Sequence, residues 1–181
     1  MKKLLFAAIA VLGLTSANAQ ETKFGAKAGF NMSNLAGAEN ASTLIGIHLG
    51  GFAELKLSDK FAVQPELLFS MQGAGFDGGD IKMNYINIPV MAKYFVTNDI
   101  SIEAGPQIGF LMSAKADGTD VKEFLNSTDF GLNFGGSYYL DENMFLTARY
   151  GFGLSEVEKD LATGEKGSTN SVIQLSFGYK F

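Results

Sequence analysis

The sequence contains no cysteine, only one histidine (His48) and only three prolines in 181 residues. Without cysteine, neither a disulfide framework nor a thiolate metal site can form. A single histidine has no second imidazole or thiol with which to build a metal site or a nucleophile–base pair. The formal net charge of −5 provides no basic surface for nucleic acid. We therefore expect no enzymatic activity, no cofactor, no metal ion and no nucleic-acid partner.

Long apolar runs are also absent, except at the N-terminus. There the basic pair Lys2-Lys3 precedes the apolar residues 4–14, and Ala17-Asn18-Ala19 provides a cleavage motif. The run is shorter than the roughly 20 residues of a spanning helix, and its order is that of a secretory signal peptide. We predict a signal peptide over residues 1–19 and one domain over residues 20–181.

Glycine and phenylalanine are abundant, with 22 and 16 copies, and apolar residues alternate with polar ones along most of the remaining chain. This alternation predicts eight strands: residues 23–33, 43–57, 61–72, 84–95, 100–113, 129–140, 144–155 and 170–181. In each of them the charged residues share the face opposite the apolar one. A soluble lipocalin-like barrel would place apolar residues inside and charges outside. Here the charges share a face with the glycines, which favours an all-β fold, an eight-stranded antiparallel up-and-down transmembrane β-barrel of the outer-membrane type.

The predicted connections alternate in length. Residues 58–60, 97–99 and 141–143 are short polar turns, whereas residues 34–42, 73–83, 114–127 and 156–169 form longer segments. Short periplasmic turns and long external loops are typical of outer-membrane barrels. We therefore expect four external loops, with the glycine-rich run 73–80 in the second of them.

Prolines and aromatic residues add two local predictions. Each proline lies in a predicted strand, and because proline donates no ladder hydrogen bond we expect a bulge, or a gap at the bilayer edge, at Pro65, Pro89 and Pro106. Aromatic residues near the strand ends predict girdles at the two membrane interfaces. The periplasmic girdle would hold Phe24, Phe61, Phe95, Tyr138 and Phe181, and the outer girdle Phe30, Phe69, Tyr85, Phe110 and Phe152.

Five charged residues face inward by alternation, namely Glu54, Glu66, Lys93, Glu103 and Arg149. An eight-stranded barrel has an interior just wide enough for side chains to fill, and buried charges need partners. We expect contacts between Glu66 and Lys93 and between Lys93 and Glu103, with Arg149 reaching either glutamate from across the lumen. The structural interpretation is a salt-bridge plug, and the functional alternative is a narrow ion path or gate. His48 also faces inward, and we interpret it as a hydrogen-bonded lumen residue.

Three segments resemble a known family: residues 65–70 (PELLFS), 85–95 (YINIPVMAKYF) and 105–115 (GPQIGFLMSAK). They are similar to the small outer-membrane β-barrel domain called "porin family" or PorT-like, common in the Bacteroidetes. The resemblance implies an outer-membrane barrel without a defined activity. The last strand also resembles the signal that the barrel-insertion machinery reads, carried by Phe177, Tyr179 and Phe181.

The predicted function is therefore an integral protein of the bacterial outer membrane with a charge-plugged lumen. Its role would be structural or would lie in surface interaction through four external loops. The alternative is a narrow porin-like channel for ions or small solutes. The expected partners are outer-membrane lipid, the insertion machinery, and extracellular or lipopolysaccharide contacts through the loops.

Overall fold

The computed structural model describes residues 22–159 and 166–181. Eight long strands dominate it: β1 (Thr22–Ala36), β2 (Ser42–Lys56), β3 (Phe61–Phe76), β4 (Gly79–Phe95), β5 (Ile100–Ala116), β7 (Thr128–Tyr139), β8 (Met144–Gly153) and β9 (Thr169–Lys180). A two-residue strand β6 (Thr119–Asp120) and a 3-10 helix (Lys122–Phe124) lie between β5 and β7. In these ranges no helix has the length and apolar character needed to cross a membrane. The predicted signal peptide lies outside the described residues.

The long strands form a closed antiparallel ring. Each pairs with its neighbours along the chain, β4 pairs with β5, and β1 pairs with both β2 and β9. The closing register runs from Gly25 opposite Lys180 to Ala36 opposite Thr169. The ring has no free long edge, so the backbone groups of its strands find partners within the wall. The predicted eight-stranded up-and-down barrel is confirmed.

The two faces of the wall are inverted relative to a soluble barrel. Large apolar side chains point outward and remain accessible, with Phe30 63% and Phe177 46% exposed. Charged side chains point inward and are buried, with Lys27 3% and Arg149 2% exposed. An apolar outer surface around a polar interior fits a wall in contact with lipid. This arrangement excludes the lipocalin-like alternative.

Inward-facing glycines let opposite or neighbouring chain segments approach closely. A Cβ atom on Gly29 would overlap the carbonyl oxygen of Leu175 on β9, and one on Gly50 would overlap that of Leu67 on β3. At the short-turn end, a Cβ on Gly178 would overlap the ring of Phe145. Glycine therefore both keeps strands in contact and makes room for large side chains inside the barrel.

The second long connection was predicted wrongly. Strands β3 and β4 continue to Phe76 and from Gly79, so the predicted loop 73–83 is a hairpin whose turn holds only Asp77-Gly78. Asp-Gly favours tight turns, and the upper strand residues are held by apolar packing. The glycines weakened the alternation on which the prediction depended. Gly73 and Gly79 have φ values of 141° and 139°, which glycine tolerates best.

The prolines produce gaps in pairing and no bulge. Pairing is interrupted beyond Pro65 and beyond Pro89, and the register is the same on both sides of each gap. The register shifts lie elsewhere, at Asn84/Tyr85 between β4 and β5, and between Thr43 and His48 on β2. The wall therefore accepts proline by losing hydrogen bonds locally. The position of these gaps relative to the bilayer edge stays a prediction.

Two residues assigned to the aromatic girdles face the lumen. Tyr85 is buried in an apolar cluster with Met83, and Phe95 packs against inward-facing rings. Both lie an even number of residues from Lys93 on β4. They therefore share the face of Lys93, which points inward. The girdle assignment used their height in the wall and neglected their face. The other girdle residues are exposed or half-exposed on the outer surface.

We expect Gly29→Ala to lower the free energy of unfolding by about 1–3 kcal/mol, because the added methyl group must push β9 away from β1. The matched control is Gly78→Ala, in a turn where nothing lies within 4 Å of the added atom. That change should stay within about 0.5 kcal/mol. Urea unfolding of the refolded barrel, followed by the gel shift of heat-modifiable migration, measures both. Equal stability of the two variants would contradict the close approach of the strands.

Candidate functional site

The lumen is the candidate functional site, and its side chains form successive groups along the barrel axis. The aromatic floor at the short-turn end consists of Phe52, Phe95, Tyr139 and Phe145. The lower ion cluster consists of Glu54, Lys93 and Lys180, and the central ion cluster of Lys27, Glu66, Glu103 and Arg149. The apolar cap at the opposite end includes Leu35, Met83, Tyr85, Leu111, Leu125 and Val157.

Arg149 connects opposite walls of the barrel in the central ion cluster. From β8, its Nη1 and Nη2 donate to the two carboxylate oxygens of Glu66 on β3, at 3.1 and 2.8 Å. Its Nε also donates to Glu103 Oε1 on β5 at 2.8 Å. Lys27 Nζ lies 2.9 Å from Glu66 Oε2. The bidentate hydrogen bonding with Glu66 holds the planar guanidinium of Arg149 across the lumen.

The lower ion cluster is held against the aromatic floor. Lys93 Nζ donates to Glu54 Oε2 at 3.0 Å, to Gln64 Oε1 at 3.0 Å and to the Tyr139 hydroxyl at 2.7 Å. Lys180 Nζ lies 3.2 Å from Glu54 Oε1 and 4.6 Å from the centre of the Tyr139 ring. A cation over an aromatic face is attracted by the ring as well as by its carboxylate. The aromatic floor therefore helps to stabilise the two lysine cations of the cluster.

The structure brings all five predicted lumen charges into the interior: Glu54, Glu66, Lys93, Glu103 and Arg149 are each buried. Two predicted contacts are wrong, because the ion pair of Lys93 is with Glu54 and not with Glu66 or Glu103. Lys93 lies directly opposite Glu103 in the β4–β5 register, but Arg149 takes that carboxylate. The amine of Lys93 extends toward the floor instead.

The sequence prediction omitted two members of the network, Lys27 and Lys180. Both lie on the inward faces of their strands by simple alternation, so the signal for them was present. With them the two clusters hold four cations and three glutamates, and each of Glu54 and Glu66 has two cationic partners.

His48 is buried within a polar layer above the central ion cluster. Its Nδ1 lies 2.8 Å from Asn31 Oδ1 and its Nε2 lies 2.7 Å from Ser176 Oγ. Both ring nitrogens are thus used in hydrogen bonds within the protein, which supports a structural part for this histidine. In the described ranges, no group of three histidine, cysteine, aspartate or glutamate side chains could hold a metal ion.

The apolar cap closes the end with the long connections. Leu125 and Val157 come from two different connections and pack onto inward-facing residues such as Leu35. Asn126 joins the two connections, because its Nδ2 donates to the carbonyl oxygens of Glu156 and Glu158, both at 2.9 Å. This cap was not predicted from the sequence, because it depends on contacts between distant loops.

The three residues of the predicted insertion signal lie on the outer surface. Phe177, Tyr179 and Phe181 are 46%, 43% and 75% exposed. The backbone N–H of Phe181 donates to Phe24 O at 2.8 Å, so the strand end is fixed next to β1. Their part in insertion stays a prediction.

The fold and the lumen together define a small transmembrane barrel with a filled interior. The sequence profile of the family described as "Outer membrane protein beta-barrel domain" matches residues 18–158. The chain belongs to this family, and is therefore an integral β-barrel protein of the outer membrane. No curated protein matches it in sequence.

Solved structures of outer-membrane proteins share the fold. Neisserial surface protein A (NspA) is similar with a TM-score of 0.62 at 15% identity, covering 89% of this chain and 99% of that one. Ail, the attachment invasion locus protein of Yersinia pestis, in complex with the heparin analogue sucrose octasulfate, gives 0.56 at 16% identity, with coverage of 89% and 99%. At such identities the likeness concerns the fold alone.

We expect Glu66→Gln to lower the free energy of unfolding by about 3–5 kcal/mol, since Lys27 loses its carboxylate and Arg149 keeps only Glu103. Urea unfolding in lipid vesicles measures the change. Glu142→Gln, in an exposed turn at the barrel rim, is the control and should change stability by less than about 0.5 kcal/mol. Equal effects of the two substitutions would show that the central ion cluster does not hold the barrel together.

Proposed function

We propose that the protein is a sealed outer-membrane anchor whose long connections act at the cell surface. The observation that carries the proposal is the contact of Arg149 with Glu66 and Glu103, which spans the lumen between opposite walls. An ion passing through the barrel would have to separate these buried pairs. Separating a buried pair leaves an uncompensated charge, which is strongly unfavourable.

Two further groups support a closed interior. The aromatic floor lies on one side of the ion clusters and the apolar cap on the other. A hydrated ion would therefore meet an apolar group before and after the charges. Eight strands also leave little room beyond that taken by side chains.

The alternative is a narrow channel for ions or small solutes. A cavity of about 630 Å³ at the short-turn end favours it, because a wide mouth reaches into the barrel as far as Glu54, Tyr139 and Lys180. Conduction would then require the ion clusters to rearrange as a gate. The sealed anchor is favoured because the ion clusters and the apolar cap fill the lumen beyond this mouth.

The charge of the outer end indicates what kind of partner it would take. Carboxylates outnumber amines among the described residues of the long connections and adjoining strand ends. The acidic ones are Glu39, Asp77, Asp80, Asp117, Asp120, Glu123, Glu156 and Glu158, and the basic ones Lys82, Lys115, Lys122, Lys159 and Lys166. Such a surface repels a sulfated sugar like the heparin analogue bound to Ail. We infer that this protein takes a cationic partner, or an anionic one such as lipopolysaccharide through bridging divalent ions.

Several narrower inferences accompany the proposal. We expect residues 1–19 to direct export, and Phe177, Tyr179 and Phe181 to be read by the insertion machinery. A PorT-like relationship stays a hypothesis supported by segments 65–70, 85–95 and 105–115. We infer no enzymatic role, because the one histidine is used in structural hydrogen bonds.

In planar lipid bilayers, we expect the wild-type protein to show no steady single-channel current. Arg149→Ala removes the side chain that spans the lumen and should produce measurable openings, and Glu66→Gln should produce briefer ones. Lys60→Ala, at the exposed rim, is the control and should remain silent. Steady conductance by the wild type, unchanged in the lumen variants, would contradict a charge plug and favour an open channel.

The absence of cysteine allows the orientation to be tested by single-cysteine labelling. Glu39→Cys, in the connection between β1 and β2, should react with a membrane-impermeant maleimide on intact cells. Asp59→Cys, in the connection between β2 and β3, should react only after the outer membrane is permeabilised. The reverse pattern would place the long connections in the periplasm and remove the basis for a surface role.

A further inference from the structure

Asp129 is the exception among the buried carboxylates of the lumen. It is only 7% exposed, yet no ion pair among the described residues includes it. Its Oδ1 accepts a hydrogen bond from Ser155 Oγ at 3.1 Å, and the side chain of Asn170 is its second hydrogen-bonding neighbour. Glu54, Glu66 and Glu103 each have a lysine or arginine partner. Because a buried carboxylate is stabilised by a partner of opposite charge, a cation bound beside Asp129 would be favourable.

A small cavity adjoins Asp129 in the upper lumen, on the side of the long connections. Its volume is about 20 Å³, which is room for a single water-sized particle. Besides Asp129, its polar lining consists of the carboxamide side chains Gln72, Gln107, Asn133, Asn170 and Gln174. Four of these five are buried themselves, being 3–5% exposed. The cavity is therefore lined by oxygen-bearing groups with one negative charge among them.

Three of the five carboxamides direct a nitrogen to a side chain outside the lining. Gln72 Nε2 donates to Ser70 Oγ at 3.0 Å, and Gln174 Nε2 donates to Asn31 Oδ1 at 3.2 Å. Asn170 Nδ2 likewise donates to the Tyr85 hydroxyl at 3.3 Å. Within the lining, Asn133 Nδ2 donates to Gln107 Oε1 at 3.2 Å, so that oxygen is already in use. This leaves the carbonyl oxygens of Gln72, Asn170 and Gln174 for the cavity that they line.

Glycine keeps the space open on the opposite side. Gly131, Gly151 and Gly153 belong to the lining. A Cβ on Gly151 would lie 2.5 Å from Asn133 Oδ1, and one on Gly153 would lie 3.5 Å from Asp129 Oδ1. A larger residue at either position would occupy the space beside the oxygens.

We propose that the upper lumen binds one hard metal cation between the carboxylate of Asp129 and the side-chain oxygens of the neighbouring glutamines and asparagines. Carboxylate and carboxamide oxygens are ligands that Na⁺, K⁺ and Ca²⁺ accept in irregular geometry. Mg²⁺ fits less well, because it retains several water molecules for which the cavity has no room. The inference goes beyond the proposed function, because the ion would compensate the charge of Asp129 in a sealed barrel and in a conducting one alike.

The test compares unfolding midpoints of the full-length refolded barrel in zwitterionic detergent. NaCl, KCl, CaCl₂ and choline chloride are compared at matched ionic strength. We expect at least one of the metal salts to raise the wild-type midpoint by about 3 °C or more over choline. Asp129→Asn keeps the shape of the side chain and removes its charge. This variant should lose the response, and in choline it should be at least as stable as the wild type.

Asp59→Asn, which removes a carboxylate from an exposed turn at the opposite rim, should keep the full response. Gln72→Met removes one oxygen at similar volume and should weaken it. Identical wild-type midpoints in all four salts would overturn the proposal. So would a response that persists in Asp129→Asn, since the ion would then bind elsewhere.

A direct measurement uses Tb³⁺, which replaces hard cations and emits when a nearby tyrosine is excited. Tyr85 is hydrogen-bonded to Asn170 in the lining and would act as the sensitiser. We expect emission that falls several-fold in Asp129→Asn and in Tyr85→Phe, and that Ca²⁺ displaces. Emission unaffected by Asp129→Asn would contradict the site. Both measurements are independent of conductance, so the sealed-lumen proposal can fail without affecting them.

Discussion

The pairing of β1 with β9 is the constraint on which the rest of the structure depends. Lipid offers no hydrogen bonds, so a transmembrane sheet must close on itself. With only eight strands, closure leaves a lumen about as wide as two facing side chains. Most charged residues on the inner faces are therefore buried, and those of the two ion clusters pair with one another. The ion clusters are a consequence of closure and not an addition to it.

Inside such a narrow lumen, residues on different strands depend on one another through the space that they occupy as well as through their charges. The rings of Phe52 and Phe145 fit because Gly25 and Gly178 leave space where they lie. These two rings meet edge to face, with centroids 5.5 Å apart. The floor they form then supports Lys93. Each of these two rings thus requires a glycine on the neighbouring strand.

The fold could be predicted from the sequence because alternation assigns each residue to a face without knowledge of its neighbours. This sufficed for the burial of Glu66 and Arg149. It did not suffice for the partner of Lys93. That partner depends on the direction in which the Lys93 side chain extends, which is toward Glu54 and not toward Glu103. Nor could it reveal the apolar cap, since Leu125 and Val157 belong to connections without alternation. The face on which a residue lies follows from its own strand, whereas its interaction partner depends on how all eight strands are arranged in the closed barrel.

Under the proposed orientation, the link that Asn126 makes between two long connections has an evolutionary consequence. Surface loops of exported proteins face antibodies, phages and competitors, and selection favours change in them. Here part of that surface also closes the barrel, so Leu125, Asn126 and Val157 should resist substitution. Sequence variation would instead concentrate at the hairpin tip Asp77-Gly78 and at Glu39, which do not belong to the apolar cap. Relatives should therefore show variable loop tips and a constant apolar cap.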